Sequence, residues 1–172
     1  SGDAGIYGMA GLVLELLMKM GEDQRPEFGG VIPGVSAMSA AAGLLGAPIM
    51  HDFAVISLSD LLTPWELIQE RAELAAKGDF VTVLYNPRSH KRVGQIKAVQ
   101  EIFLHERTPE TPVGIVTAAS REGENVLIST LGAFTKEDIN MFSIVIIGNS
   151  KTKQNGQWMI TPRGYQKREP GL

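Results

Sequence analysis

The stretch that decides the fold is Val31–Pro48, which reads VIPGVSAMSAAAGLLGAP. Its pattern predicts the end of a buried strand, a tight turn at Pro33 and Gly34, and a helix of unusually small residues. Proline fixes its own φ angle and glycine reaches φ values closed to other residues, so the pair suits a sharp turn. Ser36 stands where a helix N-cap is expected, followed by free backbone N–H groups. Such an element can hold a small polar ligand, although small-residue helices more often pack against a sheet.

A glycine-rich loop and a helix precede this element. Residues 1–8 read SGDAGIYG. A loop of this kind normally follows a parallel strand, so we expect part of the protein to lie before Ser1. Apolar residues then recur every three or four positions from Met9 to Met20, which is the period of an amphipathic helix. A polar connection leads to a predicted strand over 28–32.

From Phe53 onward, predicted strands alternate with predicted helices. This alternation indicates a mostly parallel sheet with helices on both faces. Two consecutive strands without a helix between them indicate an antiparallel hairpin inside the sheet. We therefore expect a mixed α/β fold, with the end of a first domain in residues 1–51 and a complete second domain in 52–172. The expected strands are 53–58, 80–85, 113–117, 126–131 and 143–147.

Composition narrows the class of protein. Apolar residues make up 44% and charged residues 20% of the 172, as in soluble globular proteins. The net charge of −3 gives no strong attraction to nucleic acid. The absence of cysteine excludes disulfides, thiolate nucleophiles and cysteine metal sites. No apolar run has the length of a membrane span and no signal peptide is visible, so the cytoplasm is the expected compartment.

Open α/β sheets bind ligands beyond the carboxyl ends of their strands. Asp3, the one acid in the first loop, either accepts hydrogen bonds from a ligand or caps the helix that begins near Gly8, and the sequence favours neither. Arg88 is a candidate for binding a substrate carboxylate. Four loops fall at the ligand-binding end of the predicted sheet: Ser1–Gly8, Pro33–Ala37, Asn86–Ser89 and Ala118–Asn125.

No arrangement for acid–base, nucleophilic or metal chemistry stands out. Ser36 lacks the G-x-S-x-G elbow, and the histidines at 51, 90 and 105 show no metal-ligand spacing. The G-x-G-x-x-G and P-loop patterns are absent. Methyl transfer from a sulfonium donor is compatible with such a site, because the donor is already activated and alignment is the main requirement.

The chain carries three motifs in series: SGDAGIYG at 1–8, PGVSA at 33–37 and LYNP at 84–87. Together they resemble the tetrapyrrole methylases, the class III S-adenosylmethionine-dependent methyltransferases, which have two α/β domains with a cleft between them. Further features are similar to the branch of that family that methylates C17 in cobalamin biosynthesis. They are LGAP at 45–48 leading into HDF at 51–53, ISLSDLLTPW at 56–65, YNPRS at 85–89, and IGNS at 147–150 with TPRGY at 161–165.

The resemblance implies that S-adenosylmethionine is the co-substrate and that main-chain groups hold most of it. Ser57, Asp60 and Arg88 are candidate substrate contacts by position and polarity. No residue is predicted to be catalytic and none to bind a metal. Carried over motif by motif, the implied donor contacts are Ser1, Gly2, Asp3, Ile6, Ser36, Ala37, Asn86 and Ala119.

The activity implied by the resemblance is methylation of C17 of precorrin-3B, or of cobalt-factor III, with contraction of the macrocycle to precorrin-4. A homodimer is also implied, with a tetrapyrrole substrate and neither nucleic acid nor membrane as partner. Two alternatives stay open: a methyltransferase of this fold with another acceptor, and a non-enzymatic ligand-binding module. The family begins with a strand and a glycine-proline-glycine loop that are not seen here. We therefore expect these 172 residues by themselves to bind the donor weakly or not at all and to lack activity.

Overall fold

The computed structural model describes residues 2–89 and 92–165. Ser1, a predicted donor contact, lies outside the described residues. None of the described helices combines the length and apolar character needed to cross a bilayer. The helices are α1 (Ala10–Lys19), α2 (Ala37–Leu45), α3 (Trp65–Lys77) and α4 (Gln95–Leu104), with 3-10 turns at Glu22–Gln24 and Phe134–Lys136. The strands are β1 (Gly46–Ala47), β2 (Phe53–Ser57), β3 (Val81–Tyr85), β4 (Pro112–Thr117), β5 (Asn125–Thr130), β6 (Ser143–Ile147), β7 (Lys153–Asn155) and β8 (Trp158–Ile160).

Five strands form the central sheet, in the spatial order β2-β3-β6-β4-β5. The predicted α/β fold with a mixed sheet is confirmed, and so is the hairpin of β4 and β5. The expectation of a mostly parallel sheet is wrong, because only β2 and β3 are parallel neighbours. β2, β3 and β4 do run in one direction, as helical crossovers require. β6 is inserted between β3 and β4 in the opposite direction, which makes its two pairings antiparallel.

Helices cover both faces of this sheet, as predicted. On one face, α3 and α4 pack through Ile68, Ile96 and Phe103 against Leu84 and Val145 of the strands. β3 and β6 are buried over their whole length. Their continuous apolar sequences are those expected of strands covered on two faces.

On the opposite face, α2 packs directly on the sheet. Ala41 and Leu45 of α2 lie in one buried cluster with Val83 and Ile146. The approach is close, because a Cβ on Gly114 in β4 would lie 2.4 Å from a methyl group of Leu45. The small-residue helix is thus a packing element of the sheet, and it also borders the cavity described below.

A second, smaller sheet joins the end of α2 to the C-terminal part of the chain. β1 pairs in parallel with β8, and β8 pairs antiparallel with β7. The sequence analysis missed these strands, since runs of two or three residues carry no recognisable alternation.

The residues before the proline–glycine turn depart from the prediction. α1 forms as its period indicates, but none of its residues is buried. The predicted strand over 28–32 is absent, and Ile32 is 89% exposed. Extended residues form a strand only when they pair with a neighbour. No strand pairing within the described part of the chain involves 28–32.

Candidate functional site

An open cavity of about 740 Å³ lies where the carboxyl ends of β3 and β4 meet the N-terminus of α2. Its volume falls in the range of about 300–1,000 Å³ that is typical of small-molecule sites. Five separate segments of the chain converge on it, and four of them contain predicted donor contacts. The predicted contacts that line the cavity are Gly2, Asp3, Ile6, Ser36, Ala37, Asn86 and Ala119.

Asp3 ties the first loop to the proline–glycine turn. Its Oδ2 accepts hydrogen bonds from the N–H groups of Gly5 at 2.8 Å and Ile6 at 2.7 Å. Its Oδ1 accepts one from the N–H of Gly34 at 3.1 Å. α1 begins only at Ala10, so the carboxylate does not cap that helix. Asp3 therefore shapes the cavity wall through three backbone groups, a role that neither sequence interpretation described.

The first loop and the turn are also in direct backbone contact. A Cβ on Gly34 would lie 2.2 Å from the carbonyl oxygen of Gly2, so only glycine fits there. Tyr7 connects the same loop to the sheet through two contacts. Its hydroxyl donates to the carbonyl of Val55 at 3.2 Å, and its ring centroid lies 5.1 Å from that of Tyr85. Burial raises the pKa of Tyr7, so its hydroxyl stays a donor at neutral pH.

Ser36 is the N-cap of α2, as predicted, and its Oγ accepts a hydrogen bond from the N–H of Ser39 at 3.1 Å. The N–H of Met38 donates to the hydroxyl of Tyr85 at 3.0 Å. Two N–H groups that were expected to be free are therefore already paired. Within the described residues, the N–H of Ala37 is left without a partner in this turn, and Ala37 lines the cavity. It offers one backbone donor to a polar group of a ligand.

Left-handed residues border the cavity at the ends of two strands. Asn86, directly after β3, has a φ of +50°, a conformation that asparagine tolerates better than most residues. Its Nδ2 donates to Oγ of Ser57 at 3.0 Å. Ala118 and Ser120, after β4, have φ values of +50° and +58°. Such conformations cost free energy and concentrate at functional sites, and three of them border this one cavity.

The sequence analysis missed part of the cavity wall. Tyr85 and Ala118 could have been found, since each is the neighbour of a predicted contact at the end of a strand. Met141 and Phe142 come from the loop before β6 and are more than half exposed. No signal pointed to them, because the sequence did not place β6 between β3 and β4. The lining residues beyond the predicted contacts are Val35, Ala40, Tyr85, Ala118, Ser120, Arg121, Glu122, Met141, Phe142, Ser143 and Ile144. Of these, Val35, Ala118, Ser120, Arg121 and Glu122 lie in loops predicted to be at the ligand-binding end of the sheet.

The three predicted substrate contacts lie beside the cavity and not on its wall. Ser57 is occupied by its hydrogen bond from Asn86. Asp60 accepts a hydrogen bond from Nε2 of Gln95 at 3.0 Å. The Nε of Arg88 is buried and has no hydrogen-bond partner among the described residues. Because β2 and β3 are parallel neighbours, these residues and Asn86 lie at the same carboxyl end of the two strands.

Hydrogen bonds from the N–H groups of Ile6, Gly34 and Gly5, in that order of effect, lower the pKa of Asp3. Because the pKa of Asp3 is lower in the folded state, its carboxylate stabilises the folded state fully at pH values above the ordinary carboxyl pKa. This stabilisation is lost as the pH falls through the folded-state value. We expect the hydrogen bond between Asp3 and the N–H of Gly34, and with it the contact of the first loop, to be lost only in acid, below about pH 4. NMR signals of the Ile6 and Gly34 amides, followed from neutral to acid pH, should shift together in one transition.

The matched variants are Asp3→Asn and Asp23→Asn, the latter at an exposed acid in the first 3-10 turn. An amide side chain does not titrate, so Asp3→Asn should remove the transition and Asp23→Asn should retain it. Persistence of the transition in Asp3→Asn would show that another group controls the loop.

The cavity can bind and orient a small molecule, and its wall combines glycine, alanine and serine with larger residues such as Tyr85 and Phe142. Among the described residues, no group of three histidine, aspartate or glutamate side chains could hold a metal ion. The Asp3 carboxylate is committed to three N–H groups. This arrangement suits a ligand that brings its own reactive group and needs mainly to be held in place.

The comparisons with known proteins agree with this geometry. The family described as Tetrapyrrole (Corrin/Porphyrin) Methylases matches residues 1–135. The chain is 52% identical over 171 residues to the Cobalt-factor III methyltransferase of Priestia megaterium, covering 98% of this chain and 31% of that protein. It is 50% identical to the Probable cobalt-factor III C(17)-methyltransferase of Salmonella typhimurium, covering 96% of this chain and 67% of that protein.

A more distant relative is the Precorrin-3B C(17)-methyltransferase of Sinorhizobium sp, 38% identical, with 95% of this chain and 66% of that protein covered. The chain thus spans about a third of the Priestia protein and about two thirds of the other two. The crystal structure of the methyltransferase CobJ superposes with a TM-score of 0.87 at 38% identity, over 94% of this chain and 67% of that one.

Proposed function

The chain belongs to the tetrapyrrole methylase family, and we propose that its cavity binds S-adenosylmethionine for methyl transfer to C17 of a corrin precursor. The observation that carries the proposal is the convergence of three sequence motifs and the loop after β4 on one cavity of about 740 Å³. These motifs are distant in sequence, and a common ligand accounts for their meeting at one place.

The donor suits the residues that are present. The contact between Gly34 and Gly2 leaves no room for a side chain, so backbone lines that part of the cavity. Ala37 adds an unpaired N–H at the start of α2. When bound, the sulfonium donor supplies an activated methyl group: an electron-rich acceptor carbon forms the new C–C bond while the C–S pair leaves with sulfur. The residues of this chain hold the donor, exclude water and set its direction toward the acceptor.

We place the acceptor at the end of β2, beside the donor cavity. The Nε of Arg88, buried and without a partner among the described residues, supports this placement, since a carboxylate of a tetrapyrrole would satisfy it. Asp60, 31% exposed, is a second polar contact at the same edge. The acceptor we propose is cobalt-factor III, because identity is 50–52% to proteins named for it and 38% to one named for precorrin-3B. Ring contraction to the precorrin-4 level belongs to the same proposal.

The organisation of the protein is proposed on the family resemblance. We propose a domain boundary between His51 and Asp52, a homodimer and a cytoplasmic location. Neither nucleic acid nor a membrane is part of the proposed activity. For these 172 residues by themselves, the expectation of weak or no donor binding and no turnover stays a prediction.

The test is methyl transfer by a hybrid protein. This chain replaces its matching residues in the Salmonella relative, and the hybrid receives methyl-labelled S-adenosylmethionine with cobalt-factor III or precorrin-3B. We expect labelled, ring-contracted product from the hybrid and none from the chain by itself. A hybrid that binds S-adenosylhomocysteine but labels neither macrocycle would overturn the proposed reaction. Label in a different acceptor would favour the alternative that the chain belongs to a methyltransferase of this fold with another substrate.

A further inference from the structure

Arg92 forms a group of hydrogen bonds immediately behind the cavity wall. Its Nη1 donates to the carbonyl oxygens of Leu58 at 2.9 Å and Asn86 at 3.1 Å. Its Nε lies 3.9 Å from Oδ1 of Asp60, and its side chain is only 14% exposed. One guanidinium thus connects the residue after β2, the residue after β3 and the loop that leads to α3.

The backbone of Arg92 is itself fixed. Its N–H donates to the carbonyl of Ser89 at 3.2 Å, and its carbonyl accepts from the N–H of Ser89 at 3.1 Å. Oγ of Ser89 accepts a further hydrogen bond from the same Arg92 N–H. Hydrogen bonds from a guanidinium are charge-assisted and stronger than neutral ones, and its planar shape fixes their direction. Arg92 therefore reaches its two carbonyl partners from a backbone position that is hydrogen-bonded to Ser89.

Asn86 is the residue that these contacts hold. Its carbonyl is bound by Arg92 and its side-chain Nδ2 by Ser57, while its φ is +50°. The left-handed conformation is the one that keeps both bonds. If the carbonyl bond is lost, Asn86 can return to a more common conformation, which rotates the peptide that borders the cavity.

We propose that Arg92 is a positioning residue, which holds Asn86 left-handed at the cavity wall and fixes it relative to the end of β2. The inference rests on the proposed function, because the cavity is where we place the donor and the end of β2 is where we place the acceptor. Arg92 is not among the residues that line the cavity. It sets the alignment of the two sites, on which methyl transfer depends.

Three variants test the proposal. Arg92→Met keeps much of the apolar stem and removes every donor, whereas Arg92→Lys keeps the charge and a single donor group. Arg25→Met is the matched control, because Arg25 also donates to two backbone carbonyls, those of Leu17 and Met20, and does not line the cavity.

The first measurement needs no ligand. Three-bond couplings and Cα chemical shifts of Asn86 report its φ angle by NMR. We expect Arg92→Met to lose the left-handed values, Arg92→Lys to retain them in part, and Arg25→Met to match the wild type. The second measurement is affinity for S-adenosylhomocysteine by NMR titration, which also measures weak binding. If the left-handed fraction falls to about a tenth, the apparent dissociation constant should rise about tenfold, with partial recovery in Arg92→Lys.

The outcomes separate this inference from the proposed function. Unchanged couplings at Asn86 in Arg92→Met would overturn the inference, whatever happens to thermal stability. Altered couplings with unchanged affinity would show that the conformation of Asn86 does not matter for the donor, which also overturns it. If neither the wild-type chain nor its hybrid with the Salmonella relative shows a saturable response to the ligand, the proposed donor site fails instead. The couplings then still decide whether Arg92 holds Asn86.

Discussion

Gly34→Ala is expected to weaken S-adenosylhomocysteine binding at least tenfold, which corresponds to about 1.4 kcal/mol. The added Cβ would lie 2.2 Å from the carbonyl oxygen and 2.8 Å from the carbonyl carbon of Gly2, so the backbone of the first loop must move. That movement also stretches the hydrogen bond between the Gly34 N–H and Asp3. Because Gly2 and Asp3 line the cavity, the loop can no longer complete its wall.

The measurement is an NMR titration of each variant with S-adenosylhomocysteine. Gly29→Ala is the matched control, since a Cβ at that position meets nothing within 4 Å. It should bind as the wild type does. Equal binding by Gly34→Ala and Gly29→Ala would show that the first loop is not part of the donor site.

Arg107→Met is expected to lower the free energy of unfolding by about 3–5 kcal/mol, as when one partner of a buried charged network is removed. The Arg107 side chain is 1% exposed and lies 3.8 Å from Oδ1 of Asp79. It donates to the carbonyls of Gly148 and Phe80, the latter at 2.7 Å. Burial lowers its pKa to about 10, so it is still charged at neutral pH. Methionine would remove the guanidinium donor from the Gly148 carbonyl and leave the Phe80 carbonyl with only the hydroxyl of Thr82 as a side-chain donor.

Thermal and urea denaturation measure this effect, with an expected fall in Tm of roughly 10 °C for a chain of this size. Arg25→Met, at an exposed arginine, should cost less than about 1 kcal/mol. Arg107 joins the start of β3 to the end of β6, at the far ends of these strands from the cavity. The folded variant should therefore keep the donor affinity of the wild type. A stability equal to that of Arg25→Met would contradict the role assigned to the buried guanidinium.

Local signals pointed to seven residues that the structure brings together around one cavity. Ser36 was identified as an N-cap from its place after a proline–glycine turn, and the structure confirms it. A buried strand such as β3 can be recognised by its continuous apolar run, and the strand ends where that run ends. Asn86 could therefore be placed at the carboxyl end of β3. The meeting of these segments in one cavity followed from the rule that ligands bind beyond the carboxyl ends of strands.

The predictions that were wrong or incomplete concern features set by contacts between distant parts of the chain. The position of β6 is set by which strands it pairs with, and no residue in Ser143–Ile147 encodes that choice locally. The same insertion brings Phe142 to the cavity, so the error in topology also hid part of the wall. The predicted strand over 28–32 has the right composition but no pairing among the described residues. The contact between Asp3 and Gly34 was not predicted, because the two residues are 31 positions apart in sequence.

The central claim is that the first loop, the proline–glycine turn and the ends of β3 and β4 form one donor site. The most direct test is an NMR titration of this chain with S-adenosylhomocysteine, read residue by residue. The account predicts saturable shifts of the amides of Gly2, Asp3, Ala37, Asn86 and Ala119 with one common dissociation constant, weaker than micromolar. Two results would contradict it: shifts confined to a second groove, lined by Leu44, Val126 and Trp158, or no saturable shifts in either this chain or its hybrid with the Salmonella relative.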